Sequence, residues 1–279
     1  MKSDYIKIQL PKNETISRKL DVLMELGEVL SVEVTVNKLT VLELWDNRDK
    51  LIKTLEEYFP GIEWQEEKLE DRDWNQSWIE GFQPIRISRR FWITPPWHME
   101  KIPPGHERVI VNPGNAFGTG THESTYLAMK LMKGLIEDGD KVLDLGCGSG
   151  ILSIAAKKLG ASSVHAVDND PDISDNLIQN VDLNGIKDIS WEITDILAMD
   201  SYRCDLALIN IQKHVILPLL NRFSIAKGMP NRVILAGLLF EHKKDIRNAL
   251  NKCGYKILKI RRMNEWIAVS AVLRRTNEN

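Results

Sequence analysis

Residues 141–170 read KVLDLGCGSGILSIAAKKLGASSVHAVDND, and this stretch decides the fold. Its first part, Val142 to Leu145, is a short apolar run, which is typical of a strand buried on both faces of a parallel sheet. Gly146, Gly148 and Gly150 follow directly. Glycines permit a sharp turn and leave no side chain where a ligand must touch the main chain. The stretch therefore begins with a strand and a tight turn that can face a ligand.

The second half of this stretch predicts a helix and a further strand. Apolar residues recur at helical spacing from Ile151 to Leu159, and Gly160 is a typical helix stop. Val164 to Val167 is the next apolar strand, and it ends at Asp168. In dinucleotide-binding folds, an acidic residue about 20 positions after the glycine turn binds a ribose hydroxyl. We therefore expect the glycine turn and Asp168 to contact a nucleoside-type cofactor.

The glycine spacing distinguishes between classes of cofactor. It is G-x-G-x-G, and an acid, Asp144, precedes it. A turn that binds a pyrophosphate has the spacing G-x-G-x-x-G and leaves amide groups free at the helix N-terminus. The observed form is similar to the first motif of S-adenosylmethionine-dependent methyltransferases, whose cofactor carries no phosphate. A nicotinamide-dependent oxidoreductase and an ordinary tight connection without a ligand are the alternative interpretations.

Strands and helices alternate over the rest of the chain, which is typical of a doubly wound sheet. The predicted strands are residues 142–145, 164–167, 190–193, 205–210, 232–236, 255–263 and 265–273. The last two follow each other too closely for a crossover helix, so we expect them to pair antiparallel. The sequence thus predicts an α/β domain with a sheet of about seven strands.

Two polar residues stand at the carboxyl ends of predicted strands, Asp195 and Asn210. In open parallel sheets, ligands bind beyond these strand ends, at the point where the strand order reverses. The amide of Asn210 offers both donors and an acceptor, which suits the binding of a neutral amine. A turn-forming asparagine is the alternative interpretation. For Asp195, a ligand contact and a helix N-cap are both open.

The composition favours a cytoplasmic protein that is not primarily a nucleic-acid binder. A chain of 279 residues suffices for one large or two modest cores, and a net charge of −2 leaves no basic excess. The three cysteines are widely spaced without a C-x-x-C pair, which fits a reducing compartment, and Cys147 is interpreted as a small turn residue. The six histidines show no metal-ligand spacing, so we expect no metal. The N-terminus lacks the apolar region of a signal peptide, and no apolar run is long enough to span a bilayer.

The domain organisation is predicted from changes in pattern along the chain. Residues 1–70 show the order strand, helix, strand, strand, helix, strand of a ferredoxin-like unit, which we interpret as a substrate-recruiting or structural module. These elements are predicted at residues 5–10, 17–30, 32–36, 40–45, 49–59 and 62–64. Residues 71–108 are rich in tryptophan and proline, and we interpret them as a linker whose aromatic side chains pack between domains. A stacking surface for nucleic acid is the alternative. Residues 109–279 then form the cofactor-binding domain.

A second glycine cluster lies in residues 112–125, NPGNAFGTGTHEST. Its glycines predict a flexible loop whose amides can close over a ligand. A helix is expected to begin at Thr121 and to run to Lys133, which places Thr125 on its first turns. His122, alone at a helix start, is interpreted as a capping or packing residue rather than as a base or a metal ligand.

A family resemblance is carried by DLGCGSGILSIAAKKLGA, AFGTGTHEST, the LIN strand end and DRDWNQSWIEGFQPIRISRRFWI. Together these stretches resemble the PrmA family, the methyltransferases of large-subunit ribosomal protein eleven, and the similarity covers essentially the whole chain. It implies a seven-strand Rossmann-like domain that uses S-adenosylmethionine, and an N-terminal domain that recognises the ribosomal protein. It also implies methylation of lysine side-chain amines and of an N-terminal amine. A methyltransferase of another protein or of a small molecule, and a binding protein that has lost catalysis, are the remaining alternatives.

The resemblance also implies which residues form the site. The family's cofactor-contacting positions match Thr125, Gly146, Asp168 and Asn210. Its loop over the cofactor matches Phe117. We expect Gly148 of the glycine turn to contact the cofactor as well, and Asn210 to be the catalytic residue.

Two departures from the family pattern border the expected substrate mouth. The family usually has Asn-Ile-Leu after the fourth strand, whereas this chain has Asn210-Ile211-Gln212. The usual Asp-Pro-Gly is Asn112-Pro113-Gly114 here. These changes bear on the choice of protein substrate more than on the reaction.

The expected reaction is direct in-line transfer of a methyl group from the sulfonium to a neutral amine. Lysine has a reference pKa of about 10.4 and must lose a proton before it attacks. Apolar surroundings and the sulfonium charge both lower that pKa, so no general base is required, and positioning supplies most of the acceleration.

We expect a monomer whose partner is the ribosomal protein, without membrane or direct nucleic-acid binding.

Overall fold

A computed structural model describes residues 5–11, 13, 15–16, 19–20, 23, 31–34, 38–69, 82–112 and 123–274. The chain divides into two units, Met1–Phe82 and Gln83–Asn279. This division does not test the predicted segments 1–70, 71–108 and 109–279, which stay predictions.

The first unit contains an antiparallel sheet of four strands and a helix. The strands are β1 (Tyr5–Pro11), β2 (Ser31–Val34), β3 (Lys38–Leu44) and β4 (Gln65–Leu69), and the helix is α1 (Arg48–Tyr58). Their order in the sheet is β2-β3-β1-β4. The alternating side chains Ile6, Ile8 and Leu10 of β1 are buried in one core with Leu51 and Leu55 of α1. Period-two burial on the strand and a helix face packed on it form a core that lies within this unit.

The structure describes only part of the predicted ferredoxin-like unit. Within the first predicted helix, residues 17–30, it describes Lys19, Leu20 and Leu23, which are helical, so the ferredoxin-like assignment stays a prediction. The last strand was expected at residues 62–64 but begins at residue 65. Ile62 and Trp64 pack on the core without strand pairing, whereas the polar run that follows pairs with β1.

A small sheet precedes the large one in the second unit. It contains β5 (Ile85–Arg86), β6 (Phe91–Thr94) and β7 (Glu107–Ile110), with a 3-10 helix at Pro96–Lys101. β6 and β7 pair in parallel. Part of the predicted linker thus forms a sheet with the strand that follows it.

The large sheet of the second unit has seven strands, as predicted. They are β8 (Lys141–Leu145), β9 (Ser163–Asp168), β10 (Ile189–Ile193), β11 (Leu206–Asn210), β12 (Arg232–Leu239), β13 (Tyr255–Met263) and β14 (Trp266–Leu273). Their order is β10-β9-β8-β11-β12-β14-β13, and only the pairs that involve β14 are antiparallel among these described strands. The predicted antiparallel pairing of the last two strands is therefore confirmed.

Helices cover both faces of this sheet. They are α2 (Glu123–Met132), α3 (Ile151–Lys158), α4 (Ser174–Leu183), α5 (Lys213–Phe223) and α6 (Lys243–Lys252). Apolar residues of α2, α3 and α4 form one core with Val142 of β8, and those of α5 and α6 form the other with Leu143 and Leu145. Each fully buried aliphatic side chain stabilises the fold by about 1.5–3 kcal/mol. The sheet order reverses between β8 and β11, which places the crevice for a ligand at the carboxyl ends of these two strands.

Candidate functional site

A cavity of about 490 Å³ lies at the carboxyl edge of the large sheet. Four of the predicted site residues line it together, namely Gly146, Gly148, Asp168 and Asn210. They come from the ends of β8, β9 and β11, which pair side by side in the sheet. The topology thus brings together residues that are up to 64 positions apart in the sequence, as expected for a ligand site at a strand-order reversal.

The glycine turn uses its own amide groups internally. The N–H groups of Gly146 and Cys147 donate to the Val167 carbonyl at 2.8 and 3.1 Å, and the Gly150 N–H donates to the Cys147 carbonyl at 2.9 Å. Gly146 has φ +78°, and a Cβ there would overlap the side chain of Ile211. A turn whose amides are paired within the protein is poorly suited to a phosphate, which needs free N–H groups.

The carboxylate of Asp168 is held in a fixed orientation by two backbone donors. The Gly148 N–H donates to Oδ2 at 2.9 Å, and the Asp170 N–H donates to Oδ1 at 3.1 Å. A carboxylate has about four acceptor positions, so both oxygens can accept further hydrogen bonds from a ligand. A fixed bidentate acceptor suits the two neighbouring hydroxyls of a ribose.

The two polar atoms of the Asn210 side-chain amide differ in their hydrogen bonding. Its Nδ2 donates to the Thr125 hydroxyl at 3.1 Å, whereas its Oδ1 is buried and has no hydrogen-bond partner among the described residues. Thr125 is itself fully buried and fixes the orientation of the Asn210 amide. A buried acceptor without a donor costs about 1–3 kcal/mol, which a ligand N–H in the cavity would recover.

A second unpaired oxygen belongs to Asp144, the acid that precedes the glycine turn. Asp144 is buried, and its Oδ2 accepts a hydrogen bond from the Ser153 hydroxyl at 2.6 Å, but Oδ1 has no partner in the described part of the chain. Burial raises the pKa of Asp144 to about 7, the Ser153 hydrogen bond opposes this increase, and the Asp168 charge adds to it. The charge state of Asp144 therefore changes near neutral pH.

Cys147 lines the cavity but is unsuited to nucleophilic chemistry. Burial raises the pKa of its thiol, and the charges of Asp144 and Asp168 raise it further. Because the thiolate is the reactive form, this thiol remains inert at neutral pH. These properties fit the interpretation of Cys147 as a small turn residue.

Several further lining residues were not predicted from the sequence. Gly237 reaches the cavity because β12 pairs in parallel with β11 and Ala236 lies opposite Asn210, whereas Trp266 reaches it because β14 returns antiparallel beside β12. His214 lies on the first turn of α5 and also lines the cavity. Asp195 both lines the cavity and accepts a hydrogen bond from the Leu197 N–H at 2.8 Å, so its ligand-facing and turn-forming roles coexist. Only the strand pairing, which the local sequence does not encode, would have identified Gly237 and Trp266.

The two departures from the family pattern have distinct positions. Gln212 is an exposed residue that precedes α5 and lines the cavity. The Asn112 side chain donates to Gln179 Oε1 at 2.9 Å, a bond that an ionised aspartate could not donate.

Phe117 and His122 lie outside the described residues, so their predicted roles stay predictions.

The described residues contain neither a metal centre nor a membrane-spanning helix. No group of three or more His, Cys, Asp or Glu side chains there is arranged to hold a metal ion. Within the same residues, no helix combines the length and the apolar character needed to cross a bilayer. A wider depression of about 810 Å³ on the outer side of α4 contains none of the predicted site residues.

Comparisons with known proteins identify the family. The family model described as ribosomal protein L11 methyltransferase (PrmA) matches residues 7–274. A ribosomal protein L11 methyltransferase from Exiguobacterium sp. is 36% identical over 205 residues, a match that covers 73% of this chain and 66% of the relative, slightly less than two thirds. The same-named protein from Bacillus velezensis is 31% identical over 271 residues, covering 95% of this chain and 79% of the relative. A crystal structure of ribosomal protein L11 methylase from Lactobacillus delbrueckii subsp. bulgaricus superposes with a TM-score of 0.62 at 32% identity, covering 69% of this chain and 100% of that chain. This chain therefore belongs to the ribosomal protein L11 methyltransferase (PrmA) family.

Proposed function

We propose that this chain transfers methyl groups from S-adenosylmethionine to lysine side-chain amines and an N-terminal amine of large-subunit ribosomal protein eleven. The observation that carries the proposal is the buried, unpaired Oδ1 of Asn210, a residue that lines the same cavity as Asp168, whose carboxylate is held by two backbone N–H groups. One residue offers an acceptor to an amine, and the other offers acceptors to a sugar. Membership of the PrmA family supports this substrate.

The cavity has the charge expected for a cationic cofactor. Its lining includes the carboxylates of Asp168 and Asp195, and no lysine or arginine is present among the described lining residues. A pyrophosphate would be repelled by these carboxylates, whereas a sulfonium ion would be attracted. Asp168 would hold the ribose of S-adenosylmethionine, and Ile151, Leu152 and Ile196 provide apolar surface for an adenine ring. When bound, this cofactor supplies a methyl group on a positively charged sulfur.

The role of Asn210 follows from its hydrogen bonds. One N–H of Nδ2 donates to the Thr125 hydroxyl, which fixes the side-chain amide, and Oδ1 is the acceptor left to take an N–H from the substrate amine. This hydrogen bond would orient a neutral amine so that its lone pair points into the cavity. An amine enclosed by apolar lining has a lowered pKa, because burial disfavours its charged form. Positioning of a neutral amine, without a dedicated base, is therefore the proposed contribution of this residue.

Two measurements on the wild-type chain test the proposed function. Isothermal titration with S-adenosylmethionine and with NAD should give binding of the first only. Incubation with labelled S-adenosylmethionine and recombinant ribosomal protein eleven, followed by mass spectrometry, should show methylated amines. Binding of NAD alone would overturn the cofactor assignment, whereas cofactor binding without transfer would overturn the assigned substrate and favour either a different methyl acceptor or a protein that has lost catalysis.

A substitution tests the assigned role of Asn210. Asn210→Ala should lower kcat for methyl transfer about 100-fold or more, the effect typical of removing a group that positions the reacting atoms. Asp168→Ala should instead weaken cofactor binding, because it removes the proposed ribose acceptors. An Asn210→Ala enzyme with unchanged kcat and normal stability would contradict the role proposed for Oδ1.

We propose that the protein acts in the cytoplasm. Cys147, Cys204 and Cys253 are all free and buried. Free thiols suit the reducing cytoplasm, where a newly made ribosomal protein would also be found.

A further inference from the structure

Helix α4 presents a row of asparagines to the backbone that follows β7. Asn176, Asn180 and Asn184 are spaced four residues apart, so they lie on one face of the helix. Asn184 Oδ1 accepts from the Ile110 N–H at 2.9 Å, and its Nδ2 donates to the Ile110 carbonyl at 2.6 Å. Asn180 Oδ1 accepts from the Asn112 N–H at 2.7 Å, and Asn176 Nδ2 donates to the Asn112 carbonyl at 3.0 Å. The helix side chains thus take the place of a neighbouring strand.

The geometry explains why asparagine serves here. Four residues of helix advance by about 6 Å, and two residues of strand advance by about 6.6 Å, so Asn184 meets Ile110 and Asn180 meets Asn112, two residues further along. An asparagine amide carries both a donor and an acceptor, like a peptide group. The row therefore pairs with both the N–H and the C=O of the edge backbone.

Asn180 makes one bond that Asn184 does not. Its Nδ2 donates to the Ser149 carbonyl at 3.0 Å, and the Asn180 side chain is fully buried. Ser149 lies in the glycine turn, directly after Gly148, whose N–H holds Asp168. Asn180 thereby joins the cofactor turn to Asn112, the residue from which the glycine-rich segment 113–122 continues.

We propose that Asn180 is a positioning residue for the cofactor. It fixes the Ser149 carbonyl, and through the turn it fixes the Gly148 N–H that orients the Asp168 carboxylate. It also sets the distance between this turn and the start of the glycine-rich segment. This inference rests on the proposed function, since it assigns the residue that keeps the proposed ribose acceptor in place.

The chain offers a matched control. Asn184→Ala removes two hydrogen bonds to the same backbone segment, and Asn180→Ala removes one to that segment and one to the turn. Both variants should lower Tm by comparable amounts, on the order of 5 °C. At a temperature where both are folded, titration should show S-adenosylmethionine bound about tenfold more weakly by Asn180→Ala and within about twofold of wild type by Asn184→Ala.

A second variant covers the case in which Asn180→Ala does not fold. Asn180→Asp keeps the acceptor for the Asn112 N–H but has no donor for the Ser149 carbonyl, and it should show the same selective loss of cofactor affinity. Equal cofactor affinities of the folded Asn180 and Asn184 variants would overturn the inference. Absence of cofactor binding by the wild-type chain would instead overturn the proposed function, so the two failures are distinguishable.

Discussion

Two neighbouring strands, β8 and β11, each contain one buried side chain with an incompletely paired polar group, and the one on β11 lines the cavity. Asp144 of β8 and Asn210 of β11 are buried, and each has an oxygen without a donor among the described residues. Both oxygens lower the stability of the fold, since buried polar atoms are normally paired. For Asn210, a ligand amine explains the unpaired atom. For Asp144, the consequence is a change of charge within the physiological pH range.

Asp144 makes stability depend on pH in a defined direction. Its pKa is about 7 in the folded chain and close to 4 when unfolded, so the folded state resists its ionisation. The contribution to stability is fully present below pH 4 and is lost as pH rises to 7 and above. The Asp144→Asn variant has no carboxyl group to ionise at this position, so it does not show this loss of stability. The free energy of unfolding of the variant, relative to wild type, should therefore increase between pH 4 and 8 by up to about 4 kcal/mol.

Denaturant unfolding at several pH values measures this difference. Ser153→Ala serves as the companion variant, because it removes the hydrogen bond that lowers the Asp144 pKa. In that variant the loss of stability should extend to higher pH than in wild type. If the difference in free energy of unfolding between Asp144→Asn and wild type does not change with pH, folding does not raise the pKa of Asp144.

At the scale of single elements, a bulge in β12 sets the position of the β11 end. The pairing of β12 with β14 shifts between Leu235 and Leu238, and Gly237 within it has φ +75°. A Cβ at Gly237 would overlap the backbone of Ile211, with its carbonyl carbon only 2.9 Å away. The side chain of Ile211 in turn fills the space that a Cβ would need at Gly146. Two glycines thus allow the residue after Asn210 to pack between two strands.

Gly237→Ala should therefore damage both stability and activity. The left-handed backbone alone costs an alanine about 1–2 kcal/mol, and displacement of the Ile211 backbone adds about 1–3 kcal/mol. Gly105→Ala is the matched control, since Gly105 also has φ +75° and has nothing within 4 Å of the added Cβ. Denaturant unfolding should show the larger loss for Gly237→Ala, and methyl-transfer assays should show a reduced kcat in that variant only. Equal losses in the two variants would refute a role for this close approach.

The elements also show what a sequence can predict. Val142 to Leu145 and the helix after Gly150 were predictable because their periodicity is local, and Asp168 and Asn210 were predictable because they end apolar strands. Trp266 and Gly237 were not, because Trp266 reaches the cavity through the antiparallel return of β14 beside β12, and Gly237 through the parallel pairing of β12 with β11. β5 has two residues and β6 has four, which is too short for a periodic pattern to distinguish a strand from a linker.

At the scale of the whole molecule, each unit has a core of its own. The core that contains Ile6 and Leu55 lies within Met1–Phe82, and both cores of the large sheet lie within Gln83–Asn279. Every described residue that lines the candidate site belongs to the second unit. We therefore propose that the second unit binds the cofactor through its own contacts, which leaves the first unit to serve the predicted recognition of the ribosomal protein.

A fragment consisting of residues 83–279 separates these two roles. It should fold, because its cores are internal, and bind S-adenosylmethionine within about threefold of the full chain. Methyl transfer to ribosomal protein eleven should fall at least about tenfold in kcat/KM through a higher KM, since binding energy from remote contacts is lost. Circular dichroism and titration first establish that the fragment is folded and competent, and the full chain is assayed in parallel. Unchanged KM for the protein substrate would exclude the first unit from substrate recognition, whereas loss of cofactor binding by a folded fragment would show that the site depends on both units.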